Sequence, residues 1–183
     1  MSTYKLLSCS VFLLVLGLGC VQAKGRADSV YSPLIGNKCS LETVEKITGA
    51  SVSRCPGMAG FQLLVANDDE RMSISIVDTN NKEHPLNYWD VVTPAMSSLD
   101  KVAEWRVVKK QKKIIPIALI VGINSLDQSN PEHPKKVSFI AVAKITEREV
   151  CVVTAIPASI KTASKKARRE ADKSVDKPCL SAP

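Results

Sequence analysis

The fold is decided by residues 137–171, which read VSFIAVAKITEREVCVVTAIPASIKTASKKARREA. Apolar and other residues alternate over 137–145, residues 146–149 are polar, and an apolar run returns over 150–156. This period of two predicts a β-hairpin. The period then becomes helical, and we expect a helix capped by Ser159 and ending near Lys173. Its apolar positions are Ile160, Ala163, Ala167 and Ala171. Because alanine is small, this helix can lie close against a sheet.

Four more strands are predicted upstream of this hairpin. Residues 61–65 and 72–76 alternate on either side of a polar break and predict a second hairpin. In residues 103–107, Trp105 is expected to face the core while Glu104 and Arg106 are exposed. Residues 114–123 are almost all apolar, which predicts a central strand covered on both faces, and Pro116 predicts a bulge or an edge. Together these patterns predict an α+β domain with an antiparallel sheet of about six strands and a C-terminal helix packed on it.

Other segments set the domain boundaries or leave alternatives open. Residues 24–37 predict a flexible lead-in, and residues 38–183 a single domain. Residues 40–54 fit either a short helix, because Leu41, Val44 and Ile47 recur three apart, or a hairpin turning at Gly49. Residues 84–100 give no clear pattern, although Pro85 and Pro94 disfavour a long helix.

The N-terminal segment predicts export. Lys5 precedes a short apolar run at 6–18, and Val21-Gln22-Ala23 is a small-x-Ala cleavage site, so residues 1–23 read as a signal peptide. Cys20 offers a second interpretation, because the residues before it resemble a bacterial lipobox that would anchor the chain by a lipid. Both interpretations predict a periplasmic or secreted protein without a transmembrane helix in the mature chain.

Four cysteines remain after signal removal: Cys39, Cys55, Cys151 and Cys179. An even number in an oxidising compartment predicts two disulfides, and chain order favours Cys39–Cys55 and Cys151–Cys179 among the three connectivities. A zinc site is the rival interpretation, but the chain has no Cys-x-x-Cys pair and its two histidines are far from the cysteines in sequence.

The chain is basic. Its 183 residues are 45% hydrophobic and carry a net charge of +7, of which Lys5 contributes one in the signal segment. A basic surface favours anionic neighbours, and in an exported protein these are envelope polymers or lipids rather than nucleic acid. The candidate anion-binding residues are Lys109, Lys110, Lys112, Lys113, Lys165, Arg168 and Arg169. For the four clustered lysines, we favour the other interpretation, that they only protect a turn and discourage edge pairing.

Two polar loops share a pattern that is typical of metal or general-base sites. The same residue types stand at the same offsets in the two loops, with Asp78, Glu83 and His84 in the first and Asp127, Glu132 and His133 in the second. Oxygen ligands beside a neutral imidazole can hold a divalent ion or accept a proton. Asp, Asn and Pro also close turns between strands, and we favour that interpretation. No catalytic residue, metal or cofactor is predicted, since the chain has neither a Gly-x-Ser-x-Gly motif nor a glycine-rich phosphate loop.

Several short motifs resemble a family of small exported proteobacterial proteins of unknown function. They are Cys55-Pro56-Gly57 with Gly60, Asp69 with Arg71, Glu104-Trp105-Arg106, Ala118, Cys151, Ala167-Arg168, Ala171-Asp172 and Cys179. The resemblance covers most of the mature chain and implies paired cysteines and a common fold, but it implies no activity.

The preferred hypothesis is a small non-catalytic envelope protein with a binding or structural role, directed toward anionic polymers, lipids or another envelope protein. One alternative is a metal-dependent or acid–base hydrolase that uses the Asp/Glu/His loops. Another is a lysozyme-inhibitor-like protein.

Overall fold

Eleven strands and two α-helices make up the part of the chain that the computed structural model describes, residues 27–130 and 132–181. The strands are β1 (Asp28–Pro33), β2 (Ser40–Val44), β3 (Ser51–Pro56), β4 (Gln62–Asp68), β5 (Arg71–Val77), β6 (Glu83–Pro85), β7 (Ser97–Leu99), β8 (Val102–Lys110), β9 (Lys113–Asp127), β10 (Lys135–Ile145) and β11 (Val150–Pro157). The helices are α1 (Tyr88–Val91) and α2 (Ala163–Asp172), and one turn of 3₁₀-helix follows at Ser174–Asp176.

Strand β9 organises the sheet because it pairs along both edges. One edge pairs with β10, and the other pairs first with β8 and then with β7. The main path through the sheet is β1-β8-β9-β7-β5-β4-β3-β2, with β11 beyond β10 and β6 beside β5. Within the described part of the chain, all strand pairs are antiparallel except the parallel pair between Arg71 of β5 and Ser97 of β7. The α+β class is confirmed, but the prediction of about six strands is wrong.

The additional strands lie where the sequence lacks a clear alternation. Asp28–Pro33, predicted as part of a flexible lead-in, forms β1 and pairs along its whole length with β8. Of the two alternatives for residues 40–54, the hairpin is correct, because β2 and β3 pair and the chain turns between them. Strands β6 and β7 are three residues each, too short to show a period.

The segments with clear alternation form the predicted hairpins. Strands β4 and β5 pair from end to end, and β11 pairs with residues 139–145 of β10. The bulge predicted near Pro116 is also confirmed: Arg106 pairs with Ala118 and Val107 pairs with Pro116, which leaves one extra residue on β9.

The main core lies inside the sheet, which curls until β11 contacts β6 and β1 contacts β3. Trp105 is fully buried there, and its indole N–H donates to Ser32 Oγ at 3.0 Å. The Phe61 ring packs against the Trp105 indole, and the centroids of the two rings are 6.1 Å apart. Fully buried apolar side chains from five other strands complete this core, among them Leu63, Ile74, Leu119, Ala143 and Val152.

Helix α2 covers part of the outer face of the sheet. Its predicted alanine face is confirmed, because Ala163, Ala167 and Ala171 are buried against a second apolar cluster. The sheet contributes Ala118, Ile120, Val142, Val153 and Ile156 to that cluster. The predicted start of the helix is wrong: Ser159 does not cap it, since the chain first makes two tight turns, Ile160 N–H to Pro157 O and Ala163 N–H to Ile160 O.

Two disulfides tie the ends of the domain to the sheet. Cys39–Cys55 closes the β2–β3 segment, and Cys151–Cys179 joins the C-terminal tail to β11. This is the pairing that chain order predicts. Beside the second disulfide, the Leu180 amide donates to Val152 O at 2.7 Å.

The signal-peptide prediction for residues 1–23, with Cys20, lies outside the described residues. Within the described ranges, neither helix has the length and apolar character needed to cross a lipid bilayer.

Candidate functional site

A groove of about 610 Å³ runs between α2 and the paired strands β1 and β8. We call it the basic groove, because among the residues that the structure describes four cationic and two acidic side chains line it. The cations are Arg106, Lys165, Arg168 and Arg169, and the acids are Asp28 and Asp172.

The groove exists because α2 runs alongside β8. Alternation along β8 sends Glu104 and Arg106 to the outer face, opposite to Trp105. Arg168 donates to Glu104 from Nε and Nη2, at 2.7 and 3.0 Å. One helical turn later Asp172 accepts from Arg106 Nε and Nη2, at 2.8 and 3.1 Å. The prediction that Glu104 and Arg106 are exposed is therefore wrong: Arg106 is only 7% exposed, because α2 covers the polar face of β8.

Strand β1 completes the network of hydrogen bonds. Ser29 Oγ donates to Glu104 and accepts from Arg106 Nη1, while Arg106 Nη2 also donates to Ala27 O at 2.8 Å. Burial alone would raise the pKa of Glu104, but the hydrogen bonds from Arg168 and Ser29 outweigh it and the pKa is lowered. The bond to Glu104 raises the pKa of Arg168.

The network divides the predicted anion-binding residues into two groups. Arg168 is held by Glu104, so only the part of its guanidinium that is not engaged in that ion pair is available to a ligand in the groove. Lys165 and Arg169 are exposed on the same helix. Lys165 and Arg169 line the groove together with Arg106, and none of these three side chains is held in position by either of the others.

The four clustered lysines lie at the tip of the β8–β9 hairpin, where the chain turns at Gln111 with φ 57°. Lys109 is 3.6 Å from Asp28, which itself lines the basic groove. The structure therefore brings Lys109, and the tip it belongs to, next to the groove. Lys110, Lys112 and Lys113 are exposed at that tip.

The two Asp/Glu/His loops do not come together. Asp78 follows the end of β5, whereas Asp127 ends β9 beside the start of β5, because Ser125 pairs with Ser97 and Ser97 with Arg71. Seven residues of strand separate Arg71 from Asp78, about 23 Å.

Each loop has a structural role of its own. Asp78 is 3.0 Å from His84 Nε2 and accepts from the amides of Lys82 and Asn80, and these contacts, that with His84 above all, lower its pKa. Asp127 accepts from the Ser129 amide at 3.0 Å, which lowers its pKa. Both carboxylates thus close turns. Glu83, Glu132 and His133 border these turns, with Glu83 and Glu132 exposed.

The sulfur atoms offer no zinc site in the described residues. Glu149 lies close to Cys151 and Cys179, but those two sulfurs are bonded to each other. Zinc requires the thiolate form, so this cluster does not bind it as a disulfide.

Sequence reasoning missed Ser29 and did not assign Arg106 or Asp172 to the site. A signal was present: Glu104 and Arg106 are two apart on a strand, and Arg168 and Asp172 are four apart on a helix. Each pair therefore lies on one face of its element, with a complementary order of charges.

No protein-family model, no curated protein and no solved structure matches this chain in sequence or fold.

Proposed function

We propose that this protein is a non-catalytic, extracytoplasmic binding protein whose ligand carries several phosphate or carboxylate groups. The ligand occupies the basic groove and extends over the lysine tip of the β8–β9 hairpin. The observation that carries the proposal is the juxtaposition of this tip with the groove through Lys109 and Asp28.

The local charge supports an anionic ligand. Eight cationic side chains, the four tip lysines with Arg106, Lys165, Arg168 and Arg169, face three acidic ones, Asp28, Glu104 and Asp172. The resulting excess of +5 is most of the net charge of +7 of the whole chain. Concentrating the charge in one place gives a local field that an evenly spread surface would lack.

Fixed guanidinium groups favour specific contacts over diffuse attraction. Arg106 is buried and already donates to Asp172, Ser29 and Ala27 O, so it supplies a fixed positive charge to the groove rather than free donors. Exposed Lys165 and Arg169 can then close on an anion that reaches the groove.

The disulfides and the family resemblance support the compartment. Two disulfides are typical of proteins that fold in an oxidising environment. Outside the cytoplasm, acidic phospholipids and anionic envelope polymers are more abundant partners than nucleic acid.

Vesicle and polymer binding at two salt concentrations tests the proposal. The probes are phosphatidylglycerol-containing vesicles, phosphatidylcholine vesicles and soluble polyphosphate. Two variants address the site, Lys110→Ser/Lys112→Ser/Lys113→Ser and Lys165→Ser/Arg169→Ser. The matched control is Lys38→Ser/Lys46→Ser/Lys82→Ser, which removes three exposed lysines outside the site.

We expect binding to an anionic probe at low salt and at least tenfold weaker binding for the tip variant, since each lysine near an anionic surface contributes about 1 kcal/mol. Preference for vesicles over polyphosphate would identify a lipid ligand, and the reverse a polymer. Equal losses in the tip variant and the control would reduce the effect to net charge and reject the site. Absence of binding to every anionic probe at low salt would reject the function.

A further inference from the structure

The disulfide between Cys151 and Cys179 lies beside a buried lysine. Lys144 of β10 stands directly opposite Cys151 of β11 in an antiparallel pair, so the two side chains project from the same face of the sheet. Among the lysines that the structure describes, Lys144 is the buried one. A buried ammonium group keeps its charge only where polar or anionic partners replace water.

The Lys144 ammonium has two such partners, and both belong to the surroundings of the disulfide. It donates to the carbonyl oxygen of Lys177 at 2.8 Å, two residues before Cys179, and lies 2.6 Å from Glu149 Oε2. A carboxylate oxygen of Glu149 lies within 4.8 Å of the sulfurs of Cys151 and Cys179. The C-terminal tail, the turn between β10 and β11 and the disulfide thus surround one fixed positive charge.

The two sulfurs of this disulfide differ in access. Cys151 packs against the apolar cluster under α2, whereas Cys179 is half-buried on the C-terminal tail between two exposed residues. In thiol–disulfide exchange a thiolate attacks one sulfur in line with the S–S bond, and the other sulfur leaves. Cys179 is therefore the sulfur that a thiolate from solvent can attack, and Cys151 is the leaving group.

Lys144 stabilises this leaving group. When the S–S bond breaks, a negative charge appears on Cys151 Sγ, and a thiolate is a better leaving group where a cation lies near it. Glu149 acts in the opposite direction, because its carboxylate repels both the incoming and the leaving thiolate. Solvent screens the Glu149 side chain, which is 53% exposed, more than that of Lys144, which is 7% exposed. The cation therefore has the larger effect at Cys151.

The disulfide between Cys39 and Cys55 differs in both respects. Cys55 is buried in the main core, so a thiolate from solvent cannot reach its sulfur. Attack on Cys39 would expel the Cys55 thiolate into apolar surroundings, where a charge without a partner is costly. We therefore expect this disulfide to resist exchange.

We propose that Cys151–Cys179 is a site of thiol–disulfide exchange that reacts with small-molecule thiols. The thiolate attacks Cys179 Sγ, the S–S bond breaks, and its electron pair goes to Cys151 as a thiolate beside Lys144. The product is a mixed disulfide at Cys179. A second thiol then attacks the mixed disulfide, which releases the small-molecule disulfide and leaves two protein thiols. The two small thiols thus supply the two electrons and the two protons that the cysteines take up. This reaction is independent of anion binding in the basic groove.

Reaction of the native protein with excess glutathione at neutral pH tests the proposal, with rapid alkylation of free thiols and peptide mass spectrometry at each time. We expect Cys151–Cys179 to open about tenfold faster than Cys39–Cys55 or more, so the second disulfide is an internal control. We also expect the trapped intermediate to carry glutathione on Cys179 and an alkylated thiol at Cys151.

Two variants test the charges beside the sulfurs. Lys144→Met should slow the reaction about fivefold or more, whereas Lys135→Met, which removes the same charge from an exposed position on β10, should leave the rate unchanged. Glu149→Gln should accelerate the reaction about twofold or more, because the repelling carboxylate is gone while Lys144 stays. Glu149 is exposed, so this variant gives a test even where Lys144→Met does not fold.

Any of three results would overturn the proposal. Equal opening rates for the two disulfides would show that unfolding of the whole domain controls both reactions. Glutathione on Cys151 rather than Cys179 would reverse the assigned direction of attack. Unchanged rates in the folded Lys144 and Glu149 variants would leave the charged pair with a structural role alone.

Discussion

Gly122 of β9 lies directly under the carboxylate of Asp100, at the junction between β7 and β8. The Asp100 backbone amide donates to Gly122 O at 2.9 Å, and the Asp100 side-chain Oδ1 accepts from Asn124 Nδ2 at 3.1 Å. The carboxylate therefore lies across the sheet where a side chain at position 122 would stand. A Cβ atom there would overlap Asp100 Oδ2.

Gly122→Ala is expected to lower the free energy of unfolding by about 1 kcal/mol at most, because the new methyl group only makes the exposed Asp100 carboxylate rotate away and give up its hydrogen bond from Asn124. The same substitution in an Asp100→Ala background should cost clearly less, since the overlapping group is gone. Urea unfolding of the four proteins measures this coupling. Equal costs in both backgrounds would show that Asp100 is not the obstacle.

Arg168→Met is expected to lower the free energy of unfolding by about 1–3 kcal/mol. It leaves Glu104, whose side chain is only 12% exposed, without its main partner. The loss stays below the roughly 3–5 kcal/mol that breaking a fully buried pair costs, because Arg168 itself is 43% exposed and solvent screens the pair. Lys165→Met removes the same charge from an exposed position on the same helix and should stay within about 0.5 kcal/mol of the wild type. Similar losses in both variants would show that the charge, not the ion pair, matters.

Stability is expected to fall on acidification through loss of the Glu104 network. The pKa of Glu104 is lower in the folded protein than its ordinary value of 4.5, so the network stabilises the fold above that value. This contribution declines as the pH falls below 4.5 and is lost once the pH passes the folded pKa. Glu104→Gln should be less stable than the wild type at pH 7 and should lose less stability between pH 5 and pH 2. Parallel curves of unfolding free energy against pH would contradict this.

Cys151→Ala/Cys179→Ala is expected to cost about 3–4 kcal/mol, since a loop of 28 residues is no longer closed in the unfolded chain. The tail should also detach locally, so the Leu180 amide should lose its hydrogen-exchange protection. Cys39→Ala/Cys55→Ala opens a loop of 16 residues and should leave Leu180 protected. Protection of Leu180 in the first variant would show that the hydrogen bond to Val152 holds the tail without the disulfide.

The segments that could be predicted are those whose two faces have different surroundings. Strands β4 and β5 have one side toward the main core, and β10 and β11 have one side toward the main core and the other toward α2. The ambiguity over residues 40–54 has a physical cause: a bulge in β2 puts Leu41 and Val44 opposite Ser53 and Ser51, on one face. Their spacing of three residues therefore resembles a helical period.

The candidate site was harder to predict because its parts are distant in sequence. Alternation correctly put Glu104 and Arg106 on the polar face of β8, but it carries no information about which element covers that face. Arg168 and Asp172 lie on α2, more than sixty residues away. Only tertiary packing brings them over the strand, and it turns an expected solvent-exposed pair into a buried network.

The pairing of β1 with β8 has a consequence for the order of assembly. Ser29 and Glu104 are 75 positions apart, so β1 meets its partner only after a long loop has closed. Closing so long a loop is slow, and local hairpins such as β4–β5 can form much earlier. The edge of β8 therefore stays open until β1 docks, and during that interval another chain can compete for it.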